Sequence, residues 1–180
     1  MKKIFLVILV LASNTPLISQ VKFEAIGGYI GLGSIKGNSA SVGSFTTSVF
    51  LDTRLSLADD VIFRFSFHYA RKLESLLPDN SQSRYFPFVR GGSIKLILEQ
   101  PLSEYFFLEE GLGILALNDR TFSDVDKWAF GAAFNLGIGL DFRNYKQSGF
   151  KLLLGSDIGT TFNATTPSYI SFHIQTGYYF

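Results

Sequence analysis

The feature that most constrains this chain is a period of two in its apolar residues. From Trp128 to Arg143 every even position is apolar and every odd position is small or polar, and the last two odd positions are the charged Asp141 and Arg143. Side chains of a β-strand point alternately to opposite faces, so this run predicts a strand with one apolar and one polar face. Five further segments repeat the alternation, and they are 45–57, 61–70, 86–99, 150–162 and 170–180.

Two weaker runs complete a set of eight. The run 21–35 is rich in glycine and its parity is uncertain, and the run 104–117 is apolar on both faces. The adjacent Glu109 and Glu110 must point in opposite directions, and we place Glu110 inward. The runs are long enough to cross a bilayer as tilted strands, and no stretch of 18 apolar residues predicts a membrane helix. The sequence therefore predicts an all-β fold, an antiparallel up-and-down transmembrane barrel of eight strands.

Composition agrees with a surface that meets hydrocarbon. Charged residues are 17% of the chain and aromatic residues 16%, whereas soluble domains have about 25% charged residues. The formal net charge is +1 with Lys2 and Lys3 included, so the remainder has 14 basic against 15 acidic residues. Without a basic face, nucleic acid is not an expected partner. Cysteine is absent, which excludes disulfides and thiolate metal sites.

The first residues have the pattern of a secretory signal peptide. Lys2 and Lys3 precede a nine-residue apolar segment at 4–12, and a polar stretch follows at 13–20. This apolar segment is too short to span a bilayer. We expect cleavage after Ser19, so that residues 1–19 are the signal peptide and residues 20–180 the barrel domain.

The connections between the runs alternate in length. Those after the second, fourth and sixth runs are short, at 58–60, 100–103 and 144–149. The others tend to be longer, at 36–44, 74–85, 118–127 and 163–168. Outer-membrane barrels have short periplasmic turns and longer external loops. With eight strands, both termini are then expected at the periplasmic end.

The last run ends on an aromatic residue. Phe172, Ile174, Tyr178 and Phe180 lie on its apolar face. In this the chain resembles the small eight-stranded outer-membrane barrel proteins of Gram-negative bacteria, such as outer-membrane protein X and the transmembrane domain of OmpA. The resemblance implies a location in the cell outer membrane, contact with its lipid, and recognition of those four residues by the barrel assembly machinery during insertion.

Aromatic residues near the ends of the runs are expected to form girdles at the level of the lipid headgroups. They are Phe45, Tyr69, Phe86, Trp128, Phe142, Phe150, Phe162, Tyr169 and Tyr178.

The polar positions of the alternating runs are expected to face the barrel interior, and many of them are charged. An eight-stranded barrel is just wide enough for side chains to fill, and charges in such a space are expected to pair because an isolated buried charge is costly. The residues predicted for this interior polar network are Asp52, Arg54, Arg64, His68, Lys95, Glu99, Glu110, Asp141, Arg143, Lys151, Asp157 and His173.

Catalytic and metal sites are less well supported by the sequence. Ser66–His68 and Ser171–His173 each place a hydroxyl and an imidazole on one face, and Asp157 is a candidate third member of a triad. The lipid A deacylases of the outer membrane have the order His-x-Ser, whereas both pairs here have Ser-x-His. We therefore interpret the histidines as members of the interior network and predict no enzyme activity.

Metal and cofactor binding are not expected either. Two histidines without cysteine give no zinc ligand set. Asp119, Asp124 and Asp126 are interpreted as a solvated loop, since they do not follow the spacing of calcium loops.

The function expected from these patterns is that of a non-enzymatic outer-membrane protein. Its role is either structural, in the envelope, or the presentation of surface loops, with Leu76, Leu77 and Phe122 as contact points. The sequence names no surface partner. Two alternatives stay open at this point, a small-solute porin and a soluble periplasmic ligand-binding barrel of the lipocalin type, which would have its apolar residues inside.

Overall fold

Eight antiparallel strands close into a barrel in the computed structural model, which describes residues 21–55, 61–78, 85–143, 148–162 and 166–180. Each strand pairs with the next along the chain, and the last pairs with the first. The predicted fold class is confirmed. The strands are β1 (Val21–Lys36), β2 (Val42–Leu55), β3 (Ile62–Lys72), β4 (Phe88–Pro101), β5 (Phe106–Arg120), β6 (Lys127–Asp141), β7 (Gly149–Thr161) and β8 (Ser168–Tyr179).

The two ends of the barrel differ. One end, the loop end, holds the connections 37–41 and 121–126 and the described parts of two others, which are 73–78 with 85–87 and 162 with 166–167. The short 3-10 helix Leu73–Leu76 directly follows β3. The other end, the turn end, holds the connection 102–105, the start of β1 and the end of β8. The predicted signal peptide and the predicted connection 58–60 lie outside the described residues. Among the described residues there is no helix long and apolar enough to cross a membrane.

The apolar face of the strands points outward. Phe65 and Phe134 are each 43% exposed and Leu136 is 41% exposed, although a soluble barrel would bury such residues. Neighbouring strands continue this surface around the barrel with Ile30, Val49, Ile114, Phe130 and Phe172. A continuous apolar exterior of this kind is typical of a surface that faces lipid. The lipocalin alternative is therefore wrong.

A β-bulge explains the uncertain parity of β1. Phe23 pairs with Thr53 and Ala25 with Asp52, so Glu24 is an extra residue in the ladder. An extra residue reverses the parity of the strand beyond it. Phe23 and Ile26 both point outward as a result, although one is an odd and the other an even position.

The barrel interior is not polar throughout. Close to the loop end, an apolar layer fills it, formed by Ile35, Ala70, Val89, Leu115, Leu117, Ala133 and Tyr169. Tyr169 is only 2% exposed, so its predicted place in the aromatic girdle is wrong. It has the same parity as Ser171 and His173, and this parity directs its ring inward.

Candidate functional site in the barrel interior and at the loop end

The centre of the interior is the guanidinium group of Arg64. Its Nε and Nη2 donate to the two carboxylate oxygens of Asp52, each at 2.8 Å. Its Nη1 and Nη2 donate to Glu109 at 2.6 and 3.0 Å. The guanidinium carbon lies 4.2 Å from the centre of the Phe50 ring. Asp52, Arg64 and Glu109 are almost completely buried, so β2, β3 and β5 are joined by one ionic cluster.

Of the two adjacent acids of β5, Glu109 and not Glu110 points inward. Asn135 also donates to Glu109 at 2.9 Å, whereas Glu110 stands opposite Leu98 and Leu136 on the outward face. The placement of Glu110 in the interior network is therefore wrong. Both faces of this run are apolar, so alternation alone could not distinguish the two acids. The deciding interaction is with Arg64, two strands away.

A second cluster lies around Asp157, between the Arg64 cluster and the apolar layer. Lys95 donates to its Oδ2 at 2.7 Å. The hydroxyl groups of Tyr29 and Tyr169 donate to its two oxygens, each at 3.3 Å. One carboxylate thus accepts hydrogen bonds from three other strands, β1, β4 and β8, and this joins parts of the sheet that are remote in the sequence.

The two histidines lie in the interior but do not form the candidate triads. His68 contacts Ser93 through Nε2 at 2.8 Å and Tyr29 through Nδ1 at 3.2 Å. The ring of His173 stacks on Tyr29 with a centroid separation of 4.0 Å, and its buried Nδ1 has no hydrogen-bond partner among the described residues. The hydroxyl of Ser171 is hydrogen-bonded to Thr46. Among the described residues neither Ser66 nor Ser171 hydrogen-bonds to a histidine, so the two candidate triads are not assembled. His68 instead lies between Ser93 and Asp157, with its Nδ1 3.8 Å from Oδ2 of Asp157.

Ion pairs also occupy the turn end. Lys151 donates to Glu99, and its ammonium lies 4.7 Å from the ring centre of Phe107. Arg143 binds both carboxylate oxygens of Asp141 through its side chain. A cavity of about 180 Å³ opens between these two pairs.

Arg54, another member of the predicted network, lies near the turn end of β2. It pairs with Glu24 at 3.2 Å, and 30% of its side chain remains exposed. The bulge in β1 supplies this acid, which the sequence pattern had not assigned.

At the loop end, Asp119 ties two connections together. Its Oδ2 accepts the backbone N–H of Asn38 at 3.1 Å, and its Oδ1 accepts the backbone N–H of Thr121 at 2.9 Å. Asp119 is fully buried, so its interpretation as part of a solvated loop is wrong. Asp126 lies at the surface, where the hydrogen bond from Asn118 and the nearby Arg120 lower the pKa of its carboxyl group. No group of metal-ligating side chains occurs among the described residues.

The loop end also exposes apolar side chains. Leu76 and Leu77 follow β3 and are 58% and 65% exposed, and Phe122 in the connection after β5 is 47% exposed. Along β8, the four predicted assembly-signal residues Phe172, Ile174, Tyr178 and Phe180 all have outward, exposed side chains, and Phe180 lies at the turn end. The backbone N–H of Phe180 donates to the carbonyl of Glu24 and so continues the seam between β8 and β1.

Comparison with known proteins identifies the fold. No protein-family model matches the chain, and no curated protein matches it in sequence. Among solved structures, it is similar to Neisserial surface protein A, with 8% identity and a TM-score of 0.65 over 89% of this chain and 99% of the other. It is also similar to Ail, the attachment invasion locus protein of Yersinia pestis, in complex with the heparin analogue sucrose octasulfate. That match has 11% identity and a TM-score of 0.51, over 88% of this chain and 99% of the other.

The closed eight-stranded barrel, its apolar exterior and its ionic interior define the class of protein. This chain has the fold of the small outer-membrane β-barrel proteins of Gram-negative bacteria, which confirms the resemblance inferred from its sequence.

Proposed function

We propose that this protein is a non-enzymatic integral protein of the outer membrane that acts through its loop end and not through its lumen. The observation that carries the proposal is the filled interior. The Arg64 cluster, the Asp157 cluster and the apolar layer follow one another along the barrel axis.

These successive layers of side chains block a conducting path through the barrel. A pore needs a continuous path for water, and an eight-stranded barrel has little interior space beyond that of its side chains. In the apolar layer, Leu115 and Leu117 are at most 2% exposed, and such side chains offer water no hydrogen-bond partner. The small-solute porin alternative is not favoured.

The loop end supports a role in surface presentation. The buried Asp119 joins the connections 37–41 and 121–126, so part of this surface is held in one arrangement. Leu76, Leu77 and Phe122 are exposed on it. A loop end that is partly held in one arrangement and exposes apolar side chains suits contact with another molecule better than a purely structural role.

The route to the membrane is part of the proposal. Residues 1–19 serve as a cleaved signal peptide, and Phe172, Ile174, Tyr178 and Phe180 serve as the signal read by the barrel assembly machinery. Mass measurement of the mature protein tests the first statement, because removal of residues 1–19 gives an N-terminus at Gln20.

Membrane insertion is tested by cell fractionation and by gel migration. We expect the protein in the outer-membrane fraction. On a gel, the unboiled protein should migrate at a different apparent mass from the boiled protein. Recovery in the soluble periplasm would contradict the proposal. In planar bilayers we expect no conductance at any salt concentration, with a known porin in the same bilayer as the positive control. Steady single-channel conductance would contradict the role of the filled interior.

The direction of insertion has a clean test because the chain contains no cysteine. A Leu77→Cys variant should react with a membrane-impermeant maleimide on whole cells, since Leu77 is exposed at the loop end. The matched Ser103→Cys variant, at the turn end, should react only after the outer membrane is broken. The opposite labelling would contradict presentation of the loops at the cell surface.

A further inference from the structure

Among the described residues, the outward-facing arginines are confined to the loop end of three adjacent strands. Of all the arginines in the described residues, Arg54, Arg64 and Arg143 form ion pairs with interior or turn-end acids. The other three occupy outward register positions on adjacent strands at the loop end, and they are Arg71 on β3, Arg90 on β4 and Arg120 on β5. No arginine of the described residues faces outward on the remaining five strands.

The register brings these three arginines together. Phe88 pairs with Arg71 on one side and with Arg120 on the other, and Arg90 lies two residues along β4 from Phe88. With strands ~4.8 Å apart and a rise of ~3.4 Å per residue, the three Cα atoms form a triangle with sides of about 8 to 10 Å. Side chains as long as arginine can converge on one small anion from this distance.

The cations of this triangle are only partly neutralised. Arg120 pairs with Asp126 at 2.8 Å, and the Nε of Arg90 donates to the uncharged Asn118 at 3.3 Å. Arg71 has no acidic partner among the described residues, and its guanidinium lies 5.5 Å from the ring centre of Phe86. An excess of positive charge therefore remains at the edge of the apolar exterior.

A groove on the lipid-facing surface begins directly below the triangle. In the next outward row of the sheet, Gly92 and Ala116 form a low floor between the rings of Phe67 and Phe130. These four residues lie within the lining of a longer groove of about 1050 Å³, which extends past Val49 to Ile26 on one side and to Phe162 on the other. Its lining is almost entirely apolar, and its position is where the acyl chains of a lipid would lie if the headgroup were held by the arginines.

We infer that this face binds a phosphorylated lipid with several acyl chains, from the outer leaflet of the membrane. The phosphate group lies among Arg71, Arg90 and Arg120, and one or more acyl chains lie in the groove over Gly92 and Ala116. Arginine is suited to this because its planar guanidinium donates to phosphate oxygens in pairs. The inference rests on the proposed outer-membrane location, which places the loop end in that leaflet.

Native mass spectrometry of the full mature barrel in detergent tests the inference. The probes are bisphosphorylated hexa-acyl lipid A, phosphatidylcholine and inorganic phosphate. We expect lipid A to bind most tightly, and each of the substitutions Arg71→Gln and Arg90→Gln to weaken it about tenfold, the loss expected for one charge-assisted contact. Gly92→Leu should also weaken binding, because it fills the groove. A Cβ at Gly92 meets only one backbone oxygen, at 3.5 Å, so the backbone has room for the start of a side chain.

Two control variants separate this site from general effects. Lys36→Gln removes a cation at the loop end of β1, outside the triangle, and Ala132→Leu adds bulk on the outward face of β6, outside the groove. Both should leave lipid A binding unchanged. Equal loss in a control, equal binding of phosphatidylcholine, or binding of inorganic phosphate as tight as that of lipid A would each overturn the inference. Heat-modifiable migration of the same variants reports separately on the barrel. Weaker lipid A binding by Arg71→Gln or Arg90→Gln with this migration intact supports the lipid site, whereas unchanged binding with this migration intact contradicts the lipid site alone.

Discussion

Two adjacent acids on β5 provide the sharpest test of how this barrel is built. Glu109→Gln and Glu110→Gln are the same substitution, one residue apart, on opposite faces of one strand. The carboxylate of Glu109 accepts two hydrogen bonds from Arg64, at 2.6 and 3.0 Å, and one from Asn135 at 2.9 Å. Glu110 stands between Leu98 and Leu136 on the lipid-facing surface.

The two substitutions should change the free energy of unfolding in opposite directions. Removal of one partner from a buried ion pair costs about 3–5 kcal/mol. Arg64 keeps Asp52 and the glutamine oxygen still accepts a hydrogen bond, so we expect Glu109→Gln to cost about 2–3 kcal/mol, below that range. Glu110→Gln removes a charge from the apolar surface, where an acid is mildly unfavourable, and should stabilise by no more than about 1 kcal/mol.

Urea unfolding of the barrel refolded in detergent measures the difference. The only tryptophan, Trp128, lies on the outward face and reports unfolding by its fluorescence. With a slope of about 2 kcal/mol per molar urea, Glu109→Gln should lower the midpoint by about 1–1.5 M. Glu110→Gln should leave it equal or slightly higher. Equal losses in both variants, or a larger loss in Glu110→Gln, would refute the assignment of the two faces.

Three further predictions concern the interior, the strand seam and assembly. Lys95→Met leaves Asp157 without its lysine and should lower the free energy of unfolding in urea by about 3–5 kcal/mol. Adding Asp157→Asn should recover part of this free energy, and no recovery would show that the ion pair is not the cause. Gly33→Ala places a Cβ against the backbone of β8 and should cost about 1–3 kcal/mol, while Gly43→Ala, which meets no atom within 4 Å, should change stability by less than about 0.5 kcal/mol. Phe180→Ala should reduce the heat-modifiable fraction in cells but not in protein refolded in detergent, and an equal reduction in both would indicate a folding defect instead of a lost assembly signal.

The alternation of residues was enough to predict the strands and most of their faces. In β6 and β8 every outward residue follows from parity, because one apolar face meets lipid and nothing interrupts the ladder. The fold class followed from the same pattern. Parity also indicates the inward direction of Tyr169, which shares it with Ser171, and the error there came from assigning an aromatic residue by its place near a strand end.

The remaining errors have a common physical cause, which is that contacts between distant strands are not visible in a local pattern. Phe50 shares the inward parity of Asp52, yet its place beneath the Arg64 guanidinium depends on β3. The choice of Glu109 over its neighbour depends on the same arginine. The bulge at Glu24 changes parity within β1, and in the sequence it shows only as an uncertain parity, because the pairing with β2 is needed to identify the extra residue.

The ionic interior has a consequence for how the barrel finds its register during assembly. Sliding one strand by a single residue would turn Arg64 or Lys95 from the axis toward the acyl chains, at a cost of about 2–4 kcal/mol for each such side chain near the bilayer midplane. The correct alignment also gives each of them a carboxylate contributed by another strand. A sheet with the wrong strand register is thereby destabilised twice, by charges exposed to lipid and by lost ion pairs. The interior charges therefore favour the correct register when the barrel closes.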